Sequence, residues 1–174
     1  MTKPSYPPLK PPNTHHAMAA MGWLELGNPT ESWQELARIP EDLQSHPDVV
    51  EIRYSLCVSQ NLWKEALSLA QYLIDFVPDS PAGWLHKSYA LRRVEGGGIE
   101  QARDCLGAVA SRFTDCSIVP YNLACYECLL GEVQKAKDWL SKAVKIAGKK
   151  TVKTMALKDP DLEVLWPQIQ RWKV

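Results

Sequence analysis

The chain has 174 residues, of which 45% are apolar and 23% charged, and its 20 basic side chains offset 20 acidic ones. That length suits one domain with a real core, and the charge balance sets up no global field toward nucleic acid or a membrane surface. No apolar run approaches the roughly 20 residues that a spanning helix needs. Five cysteines, an odd number in apolar contexts, fit reduced thiols in a cytoplasmic protein better than a disulfide framework.

In chain order, residues 1–13 come first and hold Pro4, Pro7, Pro8, Pro11 and Pro12. Prolines this dense exclude helix and paired strand, so the segment reads as an extended, flexible tail. It lacks the hydrophobic stretch of a signal peptide. Residues 14–174 then read as one helical domain. The stretch 62–76 carries Leu62, Ala66, Leu67, Ala70, Leu73 and Ile74 at three- and four-residue steps. The stretch 132–147 repeats the pattern with Val133, Ala136, Trp139, Leu140, Ala143, Val144 and Ala147, and sets Lys135, Asp138, Lys142 and Lys145 on its other faces. Both are amphipathic helices with one stripe for packing. Breakers fall at Gly27–Asn28, Pro47, Pro78–Pro81, Gly96–Gly98, Gly131 and Gly148. No segment alternates as a strand does, so the class is all-α.

A longer period overlies the helical one. Ser32, Ala66, Ala102 and Ala136 stand 34, 36 and 34 positions apart, and Leu36, Ala70, Leu106 and Leu140 follow each by four. Two helices per period of about 34 residues is the mark of a helical-hairpin repeat. The small residue is demanded where the two helices cross, because a larger side chain would wedge them apart. The two extra positions of the third unit fall at Gly96-Gly97-Gly98, in a turn where insertion costs little.

The segment Tyr121-Asn122-Leu123-Ala124-Cys125-Tyr126-Glu127-Cys128-Leu129-Leu130-Gly131, followed by Ala136, Trp139-Leu140 and Ala143, resembles a tetratricopeptide repeat. Residues 47–80, with Ala66 and Pro78-Asp79, and residues 81–116, opened by Trp84, resemble two more. Residues 13–46 resemble a weaker copy with Ser32 for the usual Ala, and Pro40 where its second helix should still run; that helix is expected to stop near Ile39. The run from Met155 to Trp166 is similar to the closing segment found in bacterial members. The resemblance implies a right-handed α-α superhelix of about four hairpins (13–46, 47–80, 81–116 and 117–150) with capping helices over 151–174. Val164, Leu165, Trp166, Ile169 and Trp172 are the apolar residues expected to close the carboxyl end. Met18, Met21, Trp23 and Leu24 leave a less complete cap at the amino end.

Candidate chemistry is sparse. Cys125-x-x-Cys128 lies mid-helix, away from the helix amino terminus that a redox pair uses, and no second Cys or His pair completes a zinc site. Adjacent His15 and His16 diverge on a helix, and His46 and His86 are isolated. Gly96–Gly98 lacks the strand and the Lys-Ser/Thr of a phosphate loop. No catalytic residue, cofactor or metal is therefore assigned, and the chain reads as no enzyme.

The family resemblance implies that the first helix of each hairpin lines an inner groove. Carried onto this chain, its positions include Ala17, Met21 and Glu25, then Asp48, Glu51, Ser55 and Ser59, then Tyr89, Arg92 and Arg93, then Tyr121, Cys125 and Cys128. From these, Glu51, Ser55, Tyr89, Arg92, Arg93, Tyr121 and Cys125 are the expected partner contacts; Tyr and Arg dominate many binding surfaces. Arg92 and Arg93 also suit a plain helix C-cap. Ala17 and Met21 stand where relatives that clamp acidic chaperone tails carry Lys and Asn, so that ligand is not expected.

Charge is segregated as well. Seven acidic residues lie between Glu25 and Glu51 with only Arg38 to oppose them, and eight lysines lie between Glu132 and Lys158. The expected function is an adapter for a protein or peptide partner. The alternative is a structural subunit that self-associates through its end caps and opposite charges, as a homo-oligomer. Neither nucleic acid nor membrane is an expected partner, since the lysine stretch holds one aromatic, Trp139, and no interleaved set for base stacking.

Overall fold

A computed structural model describes residues 6–173, so that the first five positions of the proline-rich segment, Pro4 among them, lie outside the described residues. Among those described, ten α-helices and three short 3-10 turns account for the ordered elements, and no strand occurs. The helices are α1 (Asn13–Glu25), α2 (Pro29–Ala37), α3 (Pro47–Ser59), α4 (Trp63–Phe76), α5 (Pro81–Leu91), α6 (Ile99–Gly107), α7 (Ile118–Leu129), α8 (Val133–Ala147), α9 (Lys149–Ala156) and α10 (Trp166–Gln170). None of them is long and apolar enough to cross a membrane.

Local chemistry sets the boundaries. Asn28 accepts a hydrogen bond from the Glu31 N–H at 3.2 Å, and Pro29 fills the first turn of α2, where no N–H is needed. His46 caps α3 in the same way through Nδ1, ahead of Pro47. Gly27, Asn61 and Gly131 take φ of 75°, 58° and 80°, the left-handed conformation that turns each hairpin back on itself. Asn61 is not among the expected breakers, yet it stands one period after Gly27. The helix expected to stop near Ile39 ends at Ala37, and Pro40 precedes a 3-10 turn over Glu41–Leu43.

The chain forms two compact units, the first ending at Ala90 and the second beginning at Leu91. In the first unit, α1 pairs with α2 and α3 with α4. Ser32, Ala66 and Ala70 are fully buried at these crossings, and the Ser32 hydroxyl donates to the Ala20 carbonyl at 2.6 Å. Its core joins Leu9, Ala17, Ala20, Leu36, Ile39, Val49, Ile52 and Leu56. Of the expected amino-end cap, Met21 and Leu24 pack on this core, whereas Met18 is 73% exposed.

In the second unit α7 pairs with α8, and α9 packs on α8. Ala102, Ala136 and Leu106 are completely buried. One core runs from Tyr121, Ala124 and Cys125 through Leu140 and Ala143 to Leu162, Leu165 and Ile169. Burial of each large aliphatic side chain there contributes about 2 kcal/mol. Trp172 packs against this core, and the Trp166 indole N–H donates to the Ala156 carbonyl at 2.7 Å, but Val164 faces solvent. Its place in the 3-10 turn Pro160–Leu165 explains that: three residues per turn puts Leu162 and Leu165 on one face and Val164 off it.

Candidate functional site

In the first unit, α3 carries Asp48, Glu51, Ser55 and Ser59. Ser55 and Ser59 donate to carbonyls of their own helix, Glu51 at 3.0 Å and Leu56 at 2.8 Å. Burial, and then repulsion from Asp48, pushes the Glu51 carboxyl above the usual carboxylate range. The described part of the proline-rich segment lies against this end of α3. The Tyr6 hydroxyl donates to Asp48 Oδ1 at 2.9 Å, and its ring stands edge-on to His46 at 5.1 Å. Burial and the neighbouring Asp48 raise the Tyr6 phenol pKa, keeping it a donor. His46 Nδ1 accepts from the Asp48 N–H, so its Nε2–H is the group that donates to the Pro7 carbonyl at 2.8 Å.

Tyr89 of α5 is 36% exposed, with its ring 6.1 Å from Trp63. Among the remaining positions of the implied groove, Glu25 is exposed, but Ala17 is buried in the core with Leu9 and offers nothing to a partner. His86, isolated in the sequence, is not isolated in the fold. Its ring stacks on Tyr54 at 4.0 Å, while the Tyr54 hydroxyl donates to the His86 carbonyl at 3.0 Å. Burial pushes the imidazole pKa down to about 4.

In the second unit Arg92, Tyr121 and Cys125 converge on one feature, the turn Asp159-Pro160-Asp161. Arg92 meets Asp161 through both guanidinium nitrogens, with Nη2 donating to Oδ1 at 2.8 Å and Nη1 to Oδ2. This bidentate pairing raises the Arg92 pKa. The Tyr121 hydroxyl donates to Asp159 Oδ2 at 3.0 Å, and the Cys125 thiol points at the same oxygen at 3.5 Å. Asp159 Oδ1 in turn accepts the Asp161 N–H at 3.1 Å, capping the 3-10 turn that Pro160 opens. Arg92 is thus spent on a side-chain pair. Arg93 beside it is half-buried.

Burial and the adjacent carboxylates push the Cys125 and Tyr121 pKa values upward, and raise the Cys128 thiol to about 11. All three stay protonated near neutral pH, and neither thiol is poised for nucleophilic or redox work. Cys125, Asp159 and Asp161 place three possible ligand atoms within 4.8 Å of one another. Arg92 already supplies the cation there, and a metal ion would have to displace its guanidinium. What the cluster does chemically is hold a carboxylate-bearing turn. The signal for it in the sequence is an Asp ahead of a Pro, an N-cap pattern.

No family model matches the chain, and no curated protein does. Among solved structures it is similar to a thermophilic tetratricopeptide-repeat protein from Thermus thermophilus, with a TM-score of 0.66 and 18% identity. The match covers 92% of this chain and 100% of that one. The chain has the all-α helical-repeat fold of a tetratricopeptide-repeat protein.

Proposed function

We propose that the chain is a protein-interaction scaffold that holds a partner segment against the first helices of its hairpins. The first unit offers Glu51, Ser55 and Tyr89 and the second Arg93, whereas Arg92 and the buried Tyr121 and Cys125 hold the Asp159–Asp161 turn and would meet a partner only where it displaces that turn. The observation that carries this reading is the Asp159–Asp161 turn. The chain's own carboxylates are gripped by Arg92, Tyr121 and Cys125 in the manner a bound acidic segment would be. The fold supports binding in general, since stacked hairpins present long helix faces.

Because Arg92 also anchors the cap, the test belongs on the first unit. Ser55→Arg with Tyr89→Ala would be compared with the unaltered protein in affinity capture from a lysate, after circular dichroism shows equal helicity. Loss of a partner from the variant supports the reading. Equal recovery by both overturns it for this face.

Charge segregation favours a second reading, in which copies associate through the acidic stretch between Glu25 and Glu51 and the lysines between Glu132 and Lys158. It requires a mass that rises with concentration and falls with salt in sedimentation; a constant monomer removes it.

A further inference from the structure

Away from the implied groove, the second unit has a cleft of about 530 Å³ between α8 and the segment that joins α6 to α7. Phe113 and Pro120 are buried in its floor, and Trp139 and Ile146 of α8 form one wall. Gly107, Ala110 and Ser111 keep the opposite wall low. Lys142 and Lys145 stand at the rim, both exposed, and neither is held by a carboxylate among the described residues. The Lys142 ammonium rests instead over the Trp139 ring, 3.7 Å from its centroid. Ile146 is 38% exposed. In the sequence alone, the two lysines belong to the basic stretch between Glu132 and Lys158, and nothing there sets an apolar cleft beside them.

We propose that this cleft docks an acidic amphipathic helix from a partner protein, with a bulky apolar side chain set beside Trp139 and Ile146 and carboxylates facing Lys142 and Lys145. Three features select that occupant. The two lysines lie three positions apart, one helical turn, which matches carboxylates one turn apart on a second helix. The apolar wall and floor lie directly inside that cationic rim, so one face of a helix satisfies both. The cleft is open to solvent along a side, whereas a small-molecule site encloses most of its ligand. The Lys142 ammonium leaves the indole for a carboxylate, or stays and bridges ring and carboxylate together. The surface is separate from the positions invoked for the scaffold reading, so the two stand or fall independently.

The probe is a fluorescein-labelled amphipathic peptide of Glu, Leu and Phe, beside a twin that carries Lys at every Glu position, read by fluorescence anisotropy. The unaltered protein binds the Glu peptide saturably and at least about tenfold more tightly than its twin. Lys142→Glu with Lys145→Glu reverses that preference, and Ile146→Ser weakens the Glu peptide without reversing it. All three positions are exposed or nearly so, and circular dichroism verifies the fold of each variant. Absence of saturable binding, or Glu-peptide binding indifferent to the lysine reversal, overturns the proposal. A salt-sensitive dimer of the unaltered protein that Lys142→Glu with Lys145→Glu makes monomeric also overturns it, by assigning the cleft to a second copy.

Discussion

Arg92 and Asp161 lie 69 positions apart and meet as a bidentate guanidinium–carboxylate pair, with side chains only 21% and 18% exposed. The pair ties the residue that follows α5 to the turn that precedes α10. It is thereby a fastener within the second unit, because Leu162 and Leu165 enter the core directly behind Asp161. Truncating either partner leaves the other half-buried charge without its counterpart, which costs more than the pair itself contributes.

Asp161→Ala is therefore expected to destabilise the protein by about 2 kcal/mol in urea unfolding. Arg92→Ala should cost a similar amount. The double variant should cost clearly less than the two combined, since it leaves no orphaned charge. Additive losses in that cycle would mean that the two side chains act separately, whatever their geometry.

The repeat was legible in the sequence because its cause is steric and local. Ser32, Ala66, Ala102 and Ala136 are small where two helices cross, and all four are buried completely. Pro40 announces the early end of α2 for the same kind of reason. Asn61 was not legible, since asparagine adopts a left-handed turn without requiring one. The sequence singles out Arg92, Tyr121 and Cys125, and the fold does bring these three together. The Asp-Pro pattern signals a capped turn, but that these three side chains hold it was not readable, because the turn is non-periodic and stands more than 30 positions beyond Cys125. The cleft beside Trp139 was hidden for another reason: Lys142 and Lys145 are simply members of a basic stretch until Phe113 and Pro120 are placed under them.

Gly83 supplies a prediction of close packing in the first unit. A Cβ built there would stand 2.9 Å from Ile74 Cγ1, 2.9 Å from the Ile74 backbone nitrogen and 3.2 Å from the Leu73 carbonyl carbon. Two of those three atoms are backbone, so α4 and α5 would have to move apart. Gly83→Ala should destabilise by about 1–2 kcal/mol in urea unfolding, despite a helix-propensity gain of up to about 1 kcal/mol. Adding Ile74→Ala should not restore stability, because the backbone contacts persist and a cavity is added. Full rescue would place the conflict in the Ile74 side chain alone.

His86 gives the fold a pH dependence whose sign follows from its surroundings. The ring is stacked on Tyr54 and mostly buried, so its neutral form is the folded one, and its pKa falls from 6.5 to about 4. The unfolded chain therefore binds a proton before the folded one does. Stability is intact above about pH 6.5, declines as pH falls toward 4, and declines no further from this source below that. The shift corresponds to roughly 3 kcal/mol. His86→Phe keeps a flat ring against Tyr54 but cannot titrate. The stability difference between His86→Phe and the unaltered protein, followed by urea unfolding from pH 7.5 to 4, should grow through that window in favour of the variant. Parallel curves would show that His86 titrates alike in both states and that the Tyr54 stack does not desolvate it.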